Sequence, residues 1–239
     1  SRADVVGLDL PWPDVREAVH RALVEKGRGE TDAPPKRGID PDEETHIRAM
    51  TAFIPSLNAA GCKWISGFPR NVARGLPTIN GLMILNELET GLPVAVMDCT
   101  WITAVRTAAC TAVSARYLAR ADSRTVGIVA CGLQGRVNLE ALAGMYDLEH
   151  VRCFDIRREA AERFAAEMGE RLGLEIEVVD TPPAAVRERD IVVTSLPAPK
   201  HPDPPVTAGT LSPGGFACLL DFDACFDGRA MRECDTLVT

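Results

Sequence analysis

Residues 126–135 read Val-Gly-Ile-Val-Ala-Cys-Gly-Leu-Gln-Gly, and this stretch predicts the fold of the chain. Its first half is a short apolar run, which is typical of a buried strand. Its second half is a glycine-containing turn. Helical periodicity follows over residues 136–145. A strand, a glycine turn and a helix in this order predict the start of a βαβ unit.

The same turn suggests a ligand. A tight turn between a strand and a helix points backbone N–H groups and a helix N-terminus at a pyrophosphate. In the G-x-G-x-x-G fingerprint of such turns, Ala130 holds the first position here, and Gly132 and Gly135 hold the other two. Asp155 ends the next predicted strand, where an acidic side chain binds ribose hydroxyls. We therefore expect a dinucleotide cradle over residues 124–155; the alternative is an ordinary βα turn with a surface aspartate.

The residues around Asp155 bear on the choice of dinucleotide. A carboxylate at this position repels a 2′-phosphate, which favours NAD(H) over NADP(H). Arg157 and Arg158 follow directly and could accept a phosphate instead. NAD(H) remains the preferred expectation.

Downstream of the turn, predicted strands alternate with predicted helices. The strands cover residues 126–130, 151–154, 176–179 and 191–194, and the helices cover 136–145 and 159–172. This alternation predicts an α/β fold with a Rossmann-type, doubly wound parallel sheet over residues 121–239.

Upstream, the pattern changes. An amphipathic helix is predicted over residues 13–24, a polar loop over 26–45, and an alanine-rich helix over 101–118. Short apolar runs at 50–54, 62–65, 81–85 and 93–97 predict an antiparallel meander. Residues 1–120 are therefore expected to form a separate α+β domain.

The composition of the chain disfavours several classes of partner. The net charge is −8 at pH 7, which disfavours nucleic acid and an anionic membrane as the main partner. Neither a signal peptide nor an apolar stretch of membrane-spanning length is found, so a cytoplasmic protein is expected. The eight cysteines form no C-x-x-C pair and predict reduced thiols and no metal site. Residues 235–239 resemble a strand that should continue, so a further C-terminal segment is expected.

Two cations interrupt apolar surroundings. Arg106 is the only charged residue between Asp98 and Arg116. It either binds the carboxylate or phosphate of a ligand or pairs with an internal carboxylate such as Asp98. Lys63 interrupts an apolar strand, where it is either an edge lysine that opposes aggregation or an anion-binding or acid–base group in a cleft.

These stretches together resemble the ornithine cyclodeaminase/mu-crystallin family. The matching segments are Lys63-Trp64-Ile65-Ser66, Phe68-Pro69-Arg70-Asn71, Leu85 to Gly91, Ala95 to Asp98, Ile102-Thr103, Arg106 to Ala109, and Gly132 to Gly135. The resemblance implies a two-domain subunit of a homodimer. One domain binds substrate and dimerises, and a Rossmann domain binds NAD(P)(H). It also implies hydride exchange at the α-carbon of a small amino or imino acid, as in cyclodeaminases, alanine dehydrogenases and imine reductases.

The resemblance assigns roles by position. Lys63 and Arg106 would hold the substrate carboxylate, with Arg37, or less well Lys36, as a third cation. Lys63 would also relay a proton, and Asp221 or Asp223 would steady the cationic nitrogen. The residues implied to contact the dinucleotide are Thr107, Gly132, Leu133, Gln134, Gly135, Asp155, Thr194 and Ser195.

Two departures from the family pattern change the expected substrate. Ornithine cyclodeaminases carry a glutamate two residues before a Met-Pro pair, whereas this chain reads Arg48-Ala49-Met50-Thr51. The glycine-rich segment around their distal-amine aspartate is also replaced by Leu-Leu-Asp-Phe-Asp at residues 219–223. Specificity for ornithine is therefore not expected. The alternative to an enzyme is a non-catalytic protein that binds a nucleotide and a carboxylate ligand.

Overall fold

The computed structural model describes residues 1–197, 201–221 and 223–238. The chain divides into two compact units, Ser1–Arg106 and Thr107–Thr239. Helix α3 (Thr100–Leu118) crosses this boundary, whereas the sequence placed the boundary after residue 120. The C-terminal half of α3 belongs to the second unit because Ala115 is fully buried in the hydrophobic core of that unit.

The first unit is built on an antiparallel sheet of five strands in the order β1-β2-β3-β4-β5. The predicted antiparallel meander is confirmed. Its helices and strands are α1 (Arg2–Val6), α2 (Trp12–Arg28), β1 (Arg37–Ile39), β2 (His46–Ile54), β3 (Ala59–Gly67), β4 (Ile79–Asn86), β5 (Pro93–Asp98) and α3 (Thr100–Leu118). Short 3-10 turns follow β2 at Pro55–Leu57 and β3 at Pro69–Arg74.

Strand β1 lies within the stretch that the sequence predicted as a loop. Its three residues are exposed, so no apolar alternation reveals it. Backbone pairing with β2 defines it instead, in the register Arg37↔Ala49, Gly38↔Arg48 and Ile39↔Ile47. A Cβ atom at Gly38 would lie 1.9 Å from the carbonyl oxygen of Ile47, so only glycine permits this close pairing.

Register divides the side chains of this sheet between two faces, because successive residues of a strand point to opposite sides. We call the two sides the lysine face and the apolar face. The lysine face carries Arg48, Met50, Lys63, Met83 and Met97, which are joined by cross-strand register. The apolar face carries exposed large hydrophobic side chains: Ile39, Phe53, Trp64, Leu82, Ile84, Val94 and Val96.

The second unit is a five-stranded parallel sheet in the order β10-β9-β6-β7-β8. The predicted parallel sheet is confirmed. Its elements are β6 (Thr125–Val129), α4 (Leu133–Ala143), β7 (His150–Phe154), α5 (Arg158–Leu172), β8 (Glu175–Val178), α6 (Pro182–Val186), β9 (Ile191–Thr194), β10 (Phe216–Leu219) and α7 (Gly228–Arg232). The order matches the first five strands of a Rossmann sheet.

Helices cover both faces of the parallel sheet, as the doubly wound prediction requires. One core contains Leu139 of α4 and Phe164 of α5, and the other contains Val186 of α6 and Ala230 of α7. All four β6 residues from Val126 to Val129 are buried, which fits a strand with both faces covered. Among the described residues, no helix combines the length and the apolar character that spanning a bilayer requires.

Candidate active site

The glycine turn lies where ligands bind in sheets of this kind. The chain runs from β6 outward to β7 and β8 on one side, and then returns to β9 and β10 on the other. Strands β6 and β9 are therefore neighbours whose connections leave in opposite directions. A crevice forms outside the carboxyl ends of two such strands. The turn after Val129 and the segment after Thr194 both lie at this edge.

The two glycines of the turn have different surroundings. A Cβ atom at Gly135 would lie 2.5 Å from the carbonyl oxygen of Ala130 and 3.0 Å from Cγ2 of Ile128, so glycine is needed for α4 to pack on β6. A Cβ atom at Gly132 would meet no protein atom within 4 Å. The backbone at Gly132 is therefore open to a close approach by a ligand.

Ala130 has a backbone conformation that favours glycine. Its φ is +80°, and it is one of four non-glycine residues with positive φ among those described. Its N–H group donates to the carbonyl oxygen of Phe154 over 2.8 Å, which fixes it in this conformation. An L-residue held there costs about 1–2 kcal/mol.

Replacing Ala130 with glycine should therefore raise the free energy of unfolding by about 0.5–1 kcal/mol, because the relieved strain exceeds the entropy that glycine adds to the unfolded chain. Urea denaturation measures the change. The control is Ala165→Gly within helix α5, which should lower stability by about 1 kcal/mol. Destabilisation by Ala130→Gly equal to that of the control would contradict the strain.

Asp155 is fixed against the glycine turn. Its Oδ2 accepts a hydrogen bond from the backbone N–H of Cys131 over 2.9 Å, and its Oδ1 accepts one from the N–H of Arg157 over 3.0 Å. The carboxylate is mostly buried and holds the turn to the end of β7. Because a carboxylate offers about four acceptor positions, these two bonds leave capacity for ribose hydroxyls.

Helix α4 places Leu133 and Gln134 at the start of its first turn. Leu133 is exposed. The side-chain oxygen of Gln134 accepts a hydrogen bond from Nδ2 of the fully buried Asn138 over 3.2 Å. Asn138 therefore orients the Gln134 amide beside the open glycine.

The segment after β9 is held by Asp221. This carboxylate is 2% exposed, and it accepts hydrogen bonds from the Thr194 hydroxyl and from the N–H of Leu196, each over 2.9 Å. Burial raises the pKa of Asp221 above its ordinary value. Asp221 is thus buried as well as bonded within the second unit, where it orients the Thr194 hydroxyl and the backbone at Leu196. Asp223 is exposed and remains the candidate for contact with a substrate nitrogen.

These features fit a dinucleotide. The turn is open at Gly132, tightly packed at Gly135 and flanked by the Asp155 carboxylate, which is the arrangement that binds a pyrophosphate and a ribose.

Lys63 is buried on the lysine face of the antiparallel sheet. Its cross-strand partners are Met50 and Met83, so its stem lies in an apolar row. Burial, together with the positive charges of Arg106 and Lys36, lowers the pKa of Lys63 to about 8. This position differs from that of a lysine on a solvated sheet edge, because β3 lies at the centre of the sheet.

Arg106 lies near Lys63 on helix α3 and is exposed. The internal ion pair with Asp98 that the sequence left open is not formed. Asp98 instead accepts hydrogen bonds from the backbone N–H and the hydroxyl of Thr100, over 2.9 and 3.1 Å, at the start of α3. Within the described parts of the chain, no carboxylate forms an ion pair with Arg106, and the guanidinium is available to an anionic ligand. Thr107 follows it on the same helix and is half-buried.

By register and alternation, Lys36 and Arg37 lie on opposite faces of the sheet. Arg37 pairs with Ala49, whose partner on β3 is Trp64, so Arg37 points to the apolar face. By alternation, Lys36 and Gly38 share the lysine face. The positive charge of Lys36 depresses the pKa of Lys63, which is consistent with this placement. The assignment of Arg37 as the third substrate cation stays a prediction, but this register favours Lys36, and the sequence did not reveal the register of β1.

Known proteins are similar to this chain in sequence and in structure. The family model described as the ornithine cyclodeaminase/mu-crystallin family matches residues 2–234. The chain is 37% identical over 191 residues to an alanine dehydrogenase of Archaeoglobus fulgidus. That match covers 80% of this chain and 58% of the relative, so the chain spans less than two thirds of the relative's length.

Two solved structures have the same fold. The Δ1-pyrroline-2-carboxylate reductase of Thermococcus litoralis, in complex with NADH and L-proline, superposes with a TM-score of 0.86 at 31% identity, over 93% of this chain and 70% of that one. An archaeal alanine dehydrogenase dimer with bound NAD gives a TM-score of 0.79 at 36% identity, over 87% and 62% of the two chains. From the match to the family model over nearly its whole length, the chain belongs to the ornithine cyclodeaminase/mu-crystallin family.

Proposed function

We propose that this chain is the substrate- and dinucleotide-binding part of an NAD(P)-dependent enzyme that transfers hydride at the α-carbon of a small amino or imino acid. The observation that carries the proposal is the buried Lys63 beside Arg106 in a chain that also has the open turn at Gly132. An anion-binding pair and a dinucleotide turn together match the requirements of a reaction on an amino acid carboxylate.

In this proposal the first unit fixes the substrate by its carboxylate. Arg106 binds both carboxylate oxygens, because a planar guanidinium matches a carboxylate in a bidentate geometry. Lys36 adds a second positive charge, and the Nζ of Lys63 donates a hydrogen bond. Fixing the carboxylate in this way restricts the direction of the Cα–H bond.

The proton steps are assigned to Lys63. When bound, the dinucleotide supplies a hydride acceptor or donor at C4 of its nicotinamide ring. For amino acid oxidation, neutral Lys63 accepts a proton from the substrate ammonium group, which allows an iminium ion to form. For imine reduction, protonated Lys63 returns that proton to the product amine. A substrate with a second amine could close a ring and release ammonia, whereas one without it would undergo reversible oxidation.

The pKa of Lys63 gives a pH dependence. The pKa of about 8 leaves Lys63 protonated below that pH and unable to accept a proton. We expect kcat/KM for amino acid oxidation to fall as the pH decreases through about 8. Lys63→Arg should remove this inflection, since arginine stays protonated, and should leave only the inflection of the substrate amine. An identical profile in both proteins would reject the proton relay.

For the cofactor we propose NAD(H) rather than NADP(H). The Asp155 carboxylate, fixed at the turn, would repel a 2′-phosphate. Arg158 is bound to Glu162 and Asp180, which limits its use as a phosphate ligand. Arg157 is exposed, and its Nε lies 4.0 Å from Oδ1 of Asp155. Titration with NADH and NADPH tests this preference directly.

We also propose that the whole protein is a homodimer that buries the apolar face of the antiparallel sheet. This face carries seven exposed large hydrophobic side chains, and contiguous apolar patches of this kind mark interfaces. The archaeal alanine dehydrogenase of the same family was solved as a dimer.

Charged residues on this face should prevent association. Val94→Asp combined with Val96→Asp places two carboxylates on neighbouring positions of β5, and burying each would cost several kcal/mol. Light scattering coupled to size exclusion should show a monomer. Val72→Asp, at an equally exposed valine outside the sheet, is the control and should leave the dimer intact. A dimer that persists in the double variant would place the interface elsewhere.

The second candidate is a protein that binds a nucleotide and a carboxylate without turnover. The strained Ala130 in place of the first fingerprint glycine favours it. A panel of amino acids with NAD⁺, and of cyclic imines or 2-oxo acids plus ammonia with NADH, decides between the two. Turnover of any member supports the enzyme. Nucleotide binding without turnover across the panel would support the binding protein.

A further inference from the structure

We propose that the substrate carries a second acidic group at its distal end, so that it is an amino or imino dicarboxylic acid or an acid of similar charge. This inference rests on the proposed function, because it concerns the same substrate site. It follows from the charges that the structure collects on the lysine face and from the position of Arg48.

Arg48 shares the lysine face with Lys63. It pairs with Ile65 in the register of β2 and β3, two residues along β3 from Lys63. Side chains on one face at this diagonal spacing lie within reach of each other when they are long. Arg48 also departs from the ornithine cyclodeaminase pattern, because it stands two residues before Met50, where those enzymes carry a glutamate.

The Arg48 side chain is held in place. Its Nη1 donates to the carbonyl oxygens of Ile39 and Ile47, over 3.0 and 3.1 Å, and its Nη2 pairs with the Asp40 carboxylate. These bonds fix the side chain. Because it is 23% exposed, part of the guanidinium remains accessible to a ligand. Ordering a cation in this way lowers the entropy that is lost when it binds an anion.

The charges on this face do not balance. Four basic side chains lie on or near this face: Lys36, Arg48, Lys63 and Arg106. Among the described residues of β1, β2 and the segment between them, Asp40 is the one carboxylate that pairs with a cation of this face, Arg48. His46 lies on the same face, and its burial, together with the charges of Arg48 and Lys36, lowers its pKa. One substrate carboxylate would therefore leave a surplus of positive charge.

The surplus of positive charge on the lysine face affects three kinds of distal substrate group differently. A second carboxylate would be attracted by Arg48 and Lys36. A distal ammonium group would be repelled by them, and Asp40 is occupied. A methyl group would gain only the apolar neighbourhood of Met50 and Met83. The geometry therefore favours an acid over an apolar chain, and an apolar chain over an amine.

Three amino acids of equal length test this order. L-Aspartate, L-2-aminobutyrate and L-2,4-diaminobutyrate each have four carbon atoms, and their γ-carbon is a carboxylate, a methyl group and an ammonium-bearing methylene group, respectively. With the protein and NAD⁺, we expect kcat/KM to be highest for L-aspartate and lowest for L-2,4-diaminobutyrate, with steps of about tenfold. A higher kcat/KM for either of the other two would overturn the proposal.

Single substitutions test which residues cause the preference for a distal carboxylate. Arg48→Met should reduce the ratio of kcat/KM for L-aspartate over L-2-aminobutyrate by about tenfold. Because Arg48 also ties β1 to β2, Lys36→Met gives a second test that leaves these bonds in place, and it should reduce the same ratio. Arg37→Met is the control, since Arg37 points to the apolar face, and it should not change the ratio. Unchanged ratios in Arg48→Met and Lys36→Met would overturn the proposal.

Binding of unreactive acids tests the acidic subsite independently of the proposed hydride transfer. Calorimetry in the presence of NADH compares succinate with butyrate. Tighter binding of succinate, without turnover of any of the three amino acids, would support the acidic subsite while contradicting their oxidation. Equal or weaker binding of succinate would overturn the acidic subsite even if turnover is found.

Discussion

Replacing Arg106 with alanine should lower kcat/KM for the amino or imino acid substrate by about a thousandfold, while the Kd for NADH stays within about twofold of the parent value. The loss removes a bidentate, charge-assisted contact and also the orientation of Cα that this contact provides. Steady-state kinetics and fluorescence titration with NADH measure the two quantities separately.

Two controls sharpen the Arg106 experiment. Arg116→Ala removes another exposed arginine of helix α3, which contacts the ring of Tyr117, and it should leave kcat/KM almost unchanged. Arg106→Lys keeps the charge but loses the planar fork, so we expect an intermediate loss. If Arg106→Ala keeps kcat/KM within a few-fold of the parent, Arg106 does not bind the substrate carboxylate.

Replacing Gly132 with alanine should weaken NADH binding by about tenfold to a hundredfold without lowering stability. The added Cβ atom meets no protein atom within 4 Å, so the fold tolerates it. It occupies the space through which a pyrophosphate would approach the backbone. Fluorescence titration measures the Kd, and urea denaturation should show a change of no more than about 0.5 kcal/mol.

Gly135→Ala is the matched comparison within the same turn. Its Cβ atom would lie 2.5 Å from the carbonyl oxygen of Ala130, so helix α4 must shift, and we expect a loss of stability of about 1–3 kcal/mol. If Gly132→Ala binds NADH as tightly as the parent, the dinucleotide does not lie over this turn. Unfolding of Gly132→Ala would contradict the open surroundings of this residue.

The fold was predictable wherever one local signal determined it. The apolar run and glycine turn at residues 126–135 sufficed for β6 and α4, and alternation of strands and helices sufficed for the parallel sheet. Strand β10 (Phe216–Leu219) was missed, although it pairs with β9 along its whole length. The short helix α6 (Pro182–Val186) was also missed, because five residues carry too little periodicity.

The site was predictable as a set of residue types but not as a geometry. Lys63 and Arg106 stood out as charges in apolar surroundings, and the structure places them near each other. The choice between Lys36 and Arg37 depended on the register of a three-residue strand without an apolar pattern. The different surroundings of Asp221 and Asp223 also needed structure, since burial and hydrogen bonding distinguish two carboxylates that are two residues apart.

The transfer of hydride from Cα is tested most directly with amino acids deuterated at that carbon. The protein is incubated with NAD⁺ and the 2-deuterated form of each panel amino acid that lacks a second amine, and the reduced dinucleotide is analysed by mass spectrometry. We predict one deuterium atom at the nicotinamide C4 of each reduced molecule, with none when Arg106 is replaced by alanine. Reduced dinucleotide that carries no deuterium, or none formed with any member of the panel, would contradict the account.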